Sequence, residues 1–233
     1  MTDTERRVTE AEDIDARLPA GYARELCLGA CEGVMPTKKK PKVVVLAGPN
    51  GAGKTTTAPK LLRGLLGVTE FVNADAIAQG LSGFAPERAA ISAGRVMLSR
   101  VKELAQGKKD FAFETTLASR SFLPWLKKLV ARGYELHLVF LWLPSADAAV
   151  ARVAERVRLG GHDVPEATVR RRYLAGVRNF FALYQPLATS WQVIDNSRNG
   201  RPKVVAVGTR RKTTIVRDRT AWTRIQEGKA SEA

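Results

Sequence analysis

The sequence predicts an α/β protein, a doubly wound and mostly parallel sheet with helices on both faces. Three observations carry this. From residue 41 onward, short apolar runs of strand length alternate with stretches of helical periodicity, the pattern of βαβ units. A β-branched run, Val43-Val44-Val45-Leu46, leads straight into a glycine-rich loop, and a helical stretch leaves it. Single acids, Asp75 and Glu114, close two later runs, at the strand ends where such sheets gather ligands.

In chain order the strands are expected at Lys42–Ala47, Glu70–Asn73, Phe111–Glu114, Glu135–Leu143, Trp191–Asp195 and Lys203–Val207. Helical patterns fill the gaps. Lys54–Leu66 follows the glycine loop, and Pro59 inside it predicts a kink, because proline has no N–H to donate. Pro86–Gln106 opens on proline, places Ile91, Leu98, Val101 and Leu104 on one face, and stops at Gly107. Ser121–Arg132 ends with cations at its negative pole. Ser145–Arg158 and Glu166–Tyr184 flank the loop Gly160–Pro165, and Val169, Tyr173, Val177, Phe180 and Tyr184 form the second helix's buried stripe. Three segments follow: an N-terminal helical extension at 1–40, a catalytic domain at 41–208 with a lid around 152–172, and a basic tail at 209–233. Trp222 and Ile225 are the tail's docking residues.

Two cysteines, Cys27 and Cys31, exclude a disulfide framework and read as small apolar residues; no structural zinc is expected. No apolar run is long enough to span a membrane and the first residues are too charged for a secretory signal, so a soluble, cytoplasmic chain is expected. The formal charge of +15 attracts polyanions, whether nucleic acid or nucleotide.

Residues 48–55 read Gly48-Pro49-Asn50-Gly51-Ala52-Gly53-Lys54-Thr55, a complete G-x-x-x-x-G-K-[ST] phosphate-binding loop. Glycines let the backbone turn its N–H groups onto phosphate oxygens, and the following helix points its positive pole at them. The expectation is an ATP site formed by Gly48 to Thr56, with Lys54 on the β/γ-phosphates and the Thr55 hydroxyl on Mg²⁺. Asp75 and Glu114 then face the same crevice, where an acid can take the proton of an attacking hydroxyl or hold Mg²⁺ through water. Arg152 and Arg156 share one helix face, and Arg170, Arg171 and Arg172 open the next helix beyond the Gly160-Gly161 pair. This reads as a lid, with His162 in it, that closes over a triphosphate. A phosphotransferase follows.

The glycine loop, Asn73-Ala74-Asp75, Glu114-Thr115-Thr116, the Gly160–Pro165 loop and Arg170-Arg171-Arg172-Tyr173 together resemble the zeta-toxin family, in its chromosomal zeta-like ATPase branch, over roughly residues 42–208. The resemblance implies an ATP-dependent kinase; better-known members phosphorylate the sugar 3′-hydroxyl of UDP-N-acetylglucosamine and are restrained by an antitoxin. By position, Asp75 is then the general base. Lys54, Arg152 and Arg156 serve the transferred phosphoryl, and Glu114, Thr116 and Arg120 the acceptor. Two positions depart from the family pattern: Ala118 stands where the E-G-T-x-R motif has arginine, with Arg120 two residues on, and His162 stands where the toxins have an arginine before the lid proline.

Two other readings use the same residues. The basic tail, with Arg210, Arg211, Lys212 and Trp222, fits a polynucleotide kinase or an ATP-switched nucleic-acid binder. Alternatively the chain works as half of a pair, its cleft blocked by residues 1–40 or by a separate antitoxin.

Overall fold

The computed structural model describes residues 40–83, 85–198 and 202–230. The predicted N-terminal extension, with both cysteines, lies outside them. Seven strands form one sheet in the order β2-β3-β1-β4-β5-β6-β7: β1 Lys42–Ala47, β2 Glu70–Val72, β3 Phe111–Thr115, β4 Glu135–Trp142, β5 Ser190–Asp195, β6 Lys203–Thr209 and β7 Lys212–Val216. The first five in this order are parallel; β6 pairs antiparallel to β5, and β7 antiparallel to β6. β1 lies at the centre, buried from Val43 to Ala47 because β3 and β4 flank it and helices cover both faces.

The helices are α1 Lys54–Ala58, α2 Ala74–Leu81, α3 Ala90–Gln106, α4 Leu123–Ala131, α5 Ala146–Arg158, α6 Glu166–Asn179 and α7 Arg219–Ala230. At Pro59 the ladder of α1 widens into a π-helix over Pro59–Leu65, the distortion expected where proline cannot donate. α6 also ends in a π-turn, Phe180–Tyr184. Its expected stripe is buried throughout, from Val169 to Tyr184.

α3 is rotated relative to the sequence expectation. Its inner face is Ala93, Met97, Val101 and Leu104, whereas Ile91 is 74% exposed and Leu98 is also exposed.

The expected boundary at residue 208 falls inside β6. The chain continues through the Arg210-Arg211 turn into β7, and α7 then returns over the sheet. Trp222 and Ile225 are buried, and Trp222 stacks on Trp191 at 5.6 Å while meeting Phe181 at the same separation. Phe180 bridges Phe140 and Trp191, so the C-terminal helix shares the main aromatic core.

Candidate active site

Strands β1, β2, β3 and β5 all deliver residues to one cavity of about 930 Å³ at their carboxyl ends. The loop after β1 can take its course only because Gly48 has no side chain: a Cβ there would lie 2.3 Å from the Leu141 carbonyl oxygen of β4, at φ +141°. Gly51 and Gly53 are also left-handed. The loop thus folds back onto its own helix start, and the cavity is lined by Asn50, Gly51, Gly53, Lys54, Thr55 and Thr56.

Parallel pairing of β1 with β3 sets Glu114 beside Leu46, one strand over from the loop. Its Oε2 accepts from the Thr55 hydroxyl at 3.0 Å and from Asn73 Nδ2 at 2.9 Å, and its Oε1 lies 3.6 Å from Lys54 Nζ. Lys54 also donates to the Pro49 carbonyl at 2.8 Å. Burial pushes the Lys54 ammonium below the usual lysine range; Glu114 and Asp75 pull it back up, and Arg156 pushes it further down. Lys54, Asp75 and Arg156 all line this cavity.

Asn73 organises the other wall. Its Oδ1 caps α2, accepting from the N–H groups of Asp75 at 2.8 Å and Ala76 at 3.3 Å, while its Nδ2 reaches Glu114 and, at 3.3 Å, the Thr55 hydroxyl. Asp75 is thereby held in the first turn of α2, lining the cavity with an exposed side chain. Asn196, just beyond β5, clamps the glycine loop by donating to the Ala52 carbonyl at 2.8 Å. Sequence reasoning did not assign Asn196 a role. Nothing in the local pattern of a strand end distinguishes a loop-clamping asparagine from a solvated one.

The predicted arginines separate into two groups. Arg152, Arg156 and Arg172 line the cavity, with Arg152 Nη2 donating to the Ser197 carbonyl at 2.7 Å and Arg156 Nη2 to the His162 carbonyl at 2.7 Å. Arg170 pairs instead with Asp147 at 2.6 Å and Glu166 at 2.8 Å. Arg171 and Arg120 are exposed and lie off the cavity, and the His162 side chain does not line it. Five cations (Lys54, Lys60, Arg152, Arg156, Arg172) face three carboxylates (Asp75, Glu114, Glu155), which suits a highly charged anionic ligand.

Thr116 and Ala118 also line the cavity, in a loop gripped from behind by α6. Asn179 donates to the Leu117 and Ala118 carbonyls at 2.7 and 3.3 Å, and Tyr184 donates to the Ser119 carbonyl at 2.8 Å. A Cβ on Gly176 would stand 2.6 Å from the Thr116 carbonyl oxygen. Leu117, fully buried, is left-handed at φ +57°, a strained conformation that these contacts maintain.

A phosphate loop on the central strand of a 2-3-1-4-5 parallel core, with acids at the neighbouring strand ends, defines a P-loop NTPase-like architecture. The Zeta toxin family model matches residues 27–220, and the chain belongs to that family; it is an enzyme, an ATP-dependent kinase. An uncharacterized protein of Haemophilus influenzae is 29% identical over 134 residues, 57% of this chain and 92% of its own. Among solved structures, AvrRxo1-ORF1:-ORF2 with ATP superposes with a TM-score of 0.64 at 17% identity, covering 99% of this chain and 75% of that one. The PezAT chromosomal toxin–antitoxin system of Streptococcus pneumoniae gives 0.57 at 16%, covering 99% and 96%. These two share the fold with this chain.

Proposed function

We propose that the protein transfers the γ-phosphoryl group of ATP to a hydroxyl of a nucleotide-sugar of the UDP-N-acetylglucosamine type, with Asp75 as general base. The observation that carries this reading is the cavity that Lys54, Asp75 and Arg156 line together. A phosphate loop, a carboxylate base and charge-neutralising arginines within one cavity are the parts that in-line transfer requires. Lys54 leaves the Pro49 carbonyl for the phosphates. Asp75, exposed on the opposite wall, accepts the acceptor's proton, and Arg156, with Arg152 and Arg172, offsets charge on the transferring group. Thr116 and the Ala118 loop form the acceptor's bed.

The Thr55 hydroxyl and the Glu114 carboxylate are hard oxygen donors already 3.0 Å apart, a pair that suits Mg²⁺. Those two residues would hold the ion, which supplies charge neutralisation between the β- and γ-phosphates. The family name and the likeness to a toxin–antitoxin system also make a protein antitoxin, or residues 1–40 in its place, part of this reading.

The test is incubation with labelled ATP, first with UDP-N-acetylglucosamine and then with a metabolite extract. Label is expected on a nucleotide-sugar hydroxyl. Asp75→Asn is expected to lower turnover about 10²–10⁴-fold while changing ATP affinity less than about threefold. Normal turnover in Asp75→Asn removes the base assignment. Label on polynucleotide ends would replace the nucleotide-sugar with nucleic acid as the acceptor.

A further inference from the structure

The glycine pair at 160–161 meets two different physical demands. Gly160 has φ +82°, and its N–H bonds the Val157 carbonyl at 2.9 Å while the Gly161 N–H bonds the Arg156 carbonyl at 2.9 Å. This is a Schellman cap on α5. The left-handed residue of such a cap favours glycine, and that accounts for Gly160 alone. Gly161 has no left-handed torsion, yet it has no room for a side chain: a Cβ would sit 2.5 Å from Arg156 Cγ and 2.9 Å from the Arg156 carbonyl oxygen. Its bare Cα is what the stem of Arg156 packs on. One residue later the His162 carbonyl takes the guanidinium at 2.7 Å.

Carbonyl, stem and head of one arginine are therefore all held by two consecutive residues, Gly161 and His162, of the turn that Gly160 opens. That arginine lines the ligand cavity. Its Nε–H is buried with no hydrogen-bond partner among the described residues, so contact with Gly161 helps to fix the stem where hydrogen bonding does not.

We infer that Gly161 is a positioning residue for Arg156, and that the Gly160-Gly161-His162 turn is a fixed cradle presetting this arginine at the phosphate site. The turn does not hinge. Arg156 gains its geometry from the end of its own helix before any ligand arrives, and electrostatic stabilisation of that kind needs no rearrangement during the reaction. An added methyl at 161 pushes the stem aside and shifts the guanidinium, leaving the nucleotide loop, which it does not touch, as it was.

The inference rests on the kinase reading, and the experiment keeps the two apart. Gly161→Ala, Arg156→Ala and the double variant are compared by ATP turnover, by affinity for a non-hydrolysable ATP analogue, and by affinity for Mg-ADP with aluminium fluoride, which mimics the phosphoryl in flight. Gly161→Ala is expected to lower kcat at least about tenfold and to weaken the fluoride complex in step, with analogue affinity within about threefold of wild type. In the Arg156→Ala background the glycine substitution is expected to add nothing. An unchanged kcat overturns the inference. So does a loss of equal size with and without Arg156, which is also what a folding defect would produce. Wild-type protein that binds the fluoride complex but turns over no ATP counts against the kinase reading, and the cradle is then judged on the affinities alone.

Discussion

Glu114 links the catalytic groups before any substrate binds. One carboxylate accepts from Thr55 and Asn73 and pairs with Lys54, so it ties the glycine loop to the wall that Asn73 forms. Glu114→Gln keeps the size and loses the charge; the Mg²⁺ concentration for half-maximal turnover is expected to rise about 10–100-fold, read from a magnesium titration at saturating ATP. At the opposite end of the sheet, burial holds the His137 imidazole below the usual histidine range, with Glu135 pulling upward; its Nδ1 lies 2.7 Å from the Ser190 hydroxyl. Because its folded pKa is the lower one, the unfolded chain binds the proton first as pH falls below about 6.5, and stability drops until the folded pKa is passed. His137→Gln is expected to flatten that limb of a pH series of urea melts. Of these residues Lys54, Thr55, Asp75 and Glu114 were legible in the sequence because a motif or a strand end marks them. Asn196 and the backbone partners of Arg156 were not, since they depend on contacts between segments distant in sequence or on carbonyls that any residue could supply.

At the scale of elements, strands were easier to find than the helices between them. Buried parallel strands read as continuous apolar runs, and β1 falls on its expected residues, Lys42–Ala47. α2 escaped the sequence reading because it is only eight residues long, although Asn73 capping it is a recognisable start. β7 escaped for a different reason. Its turn carries Arg210 at φ +47° in place of a glycine, and its side chains are partly or fully exposed, so Lys212–Val216 resembled a basic tail. Arginines were expected to gather on the ligand around residues 152–172, but helical spacing could not say which face each would take. Arg170 pairs with Asp147 and Glu166, while Arg172, two positions on, lines the cavity.

Over the whole molecule, the C-terminal helix belongs to the core. Trp222 lies against Trp191 and Phe181, and Phe180 joins these to Phe140 beneath the central strands. Trp222→Ala is expected to cost about 3–5 kcal/mol in urea unfolding, as a large aromatic lost from a packed interior does. A dispensable tail would show less than about 0.5 kcal/mol. Among the described residues no helix is long and apolar enough to cross a membrane.

The loop under the acceptor has a consequence at this scale too. Leu117 is buried in a twisted conformation, and its own carbonyl and those of Ala118 and Ser119 are fastened by Asn179 and Tyr184. A bed fastened in that way is a mould rather than a glove. If this loop is the acceptor's bed, as proposed, it turns away a misshapen acceptor instead of yielding to it, and a change of substrate during descent would have to be written into α6 as well as into the loop itself.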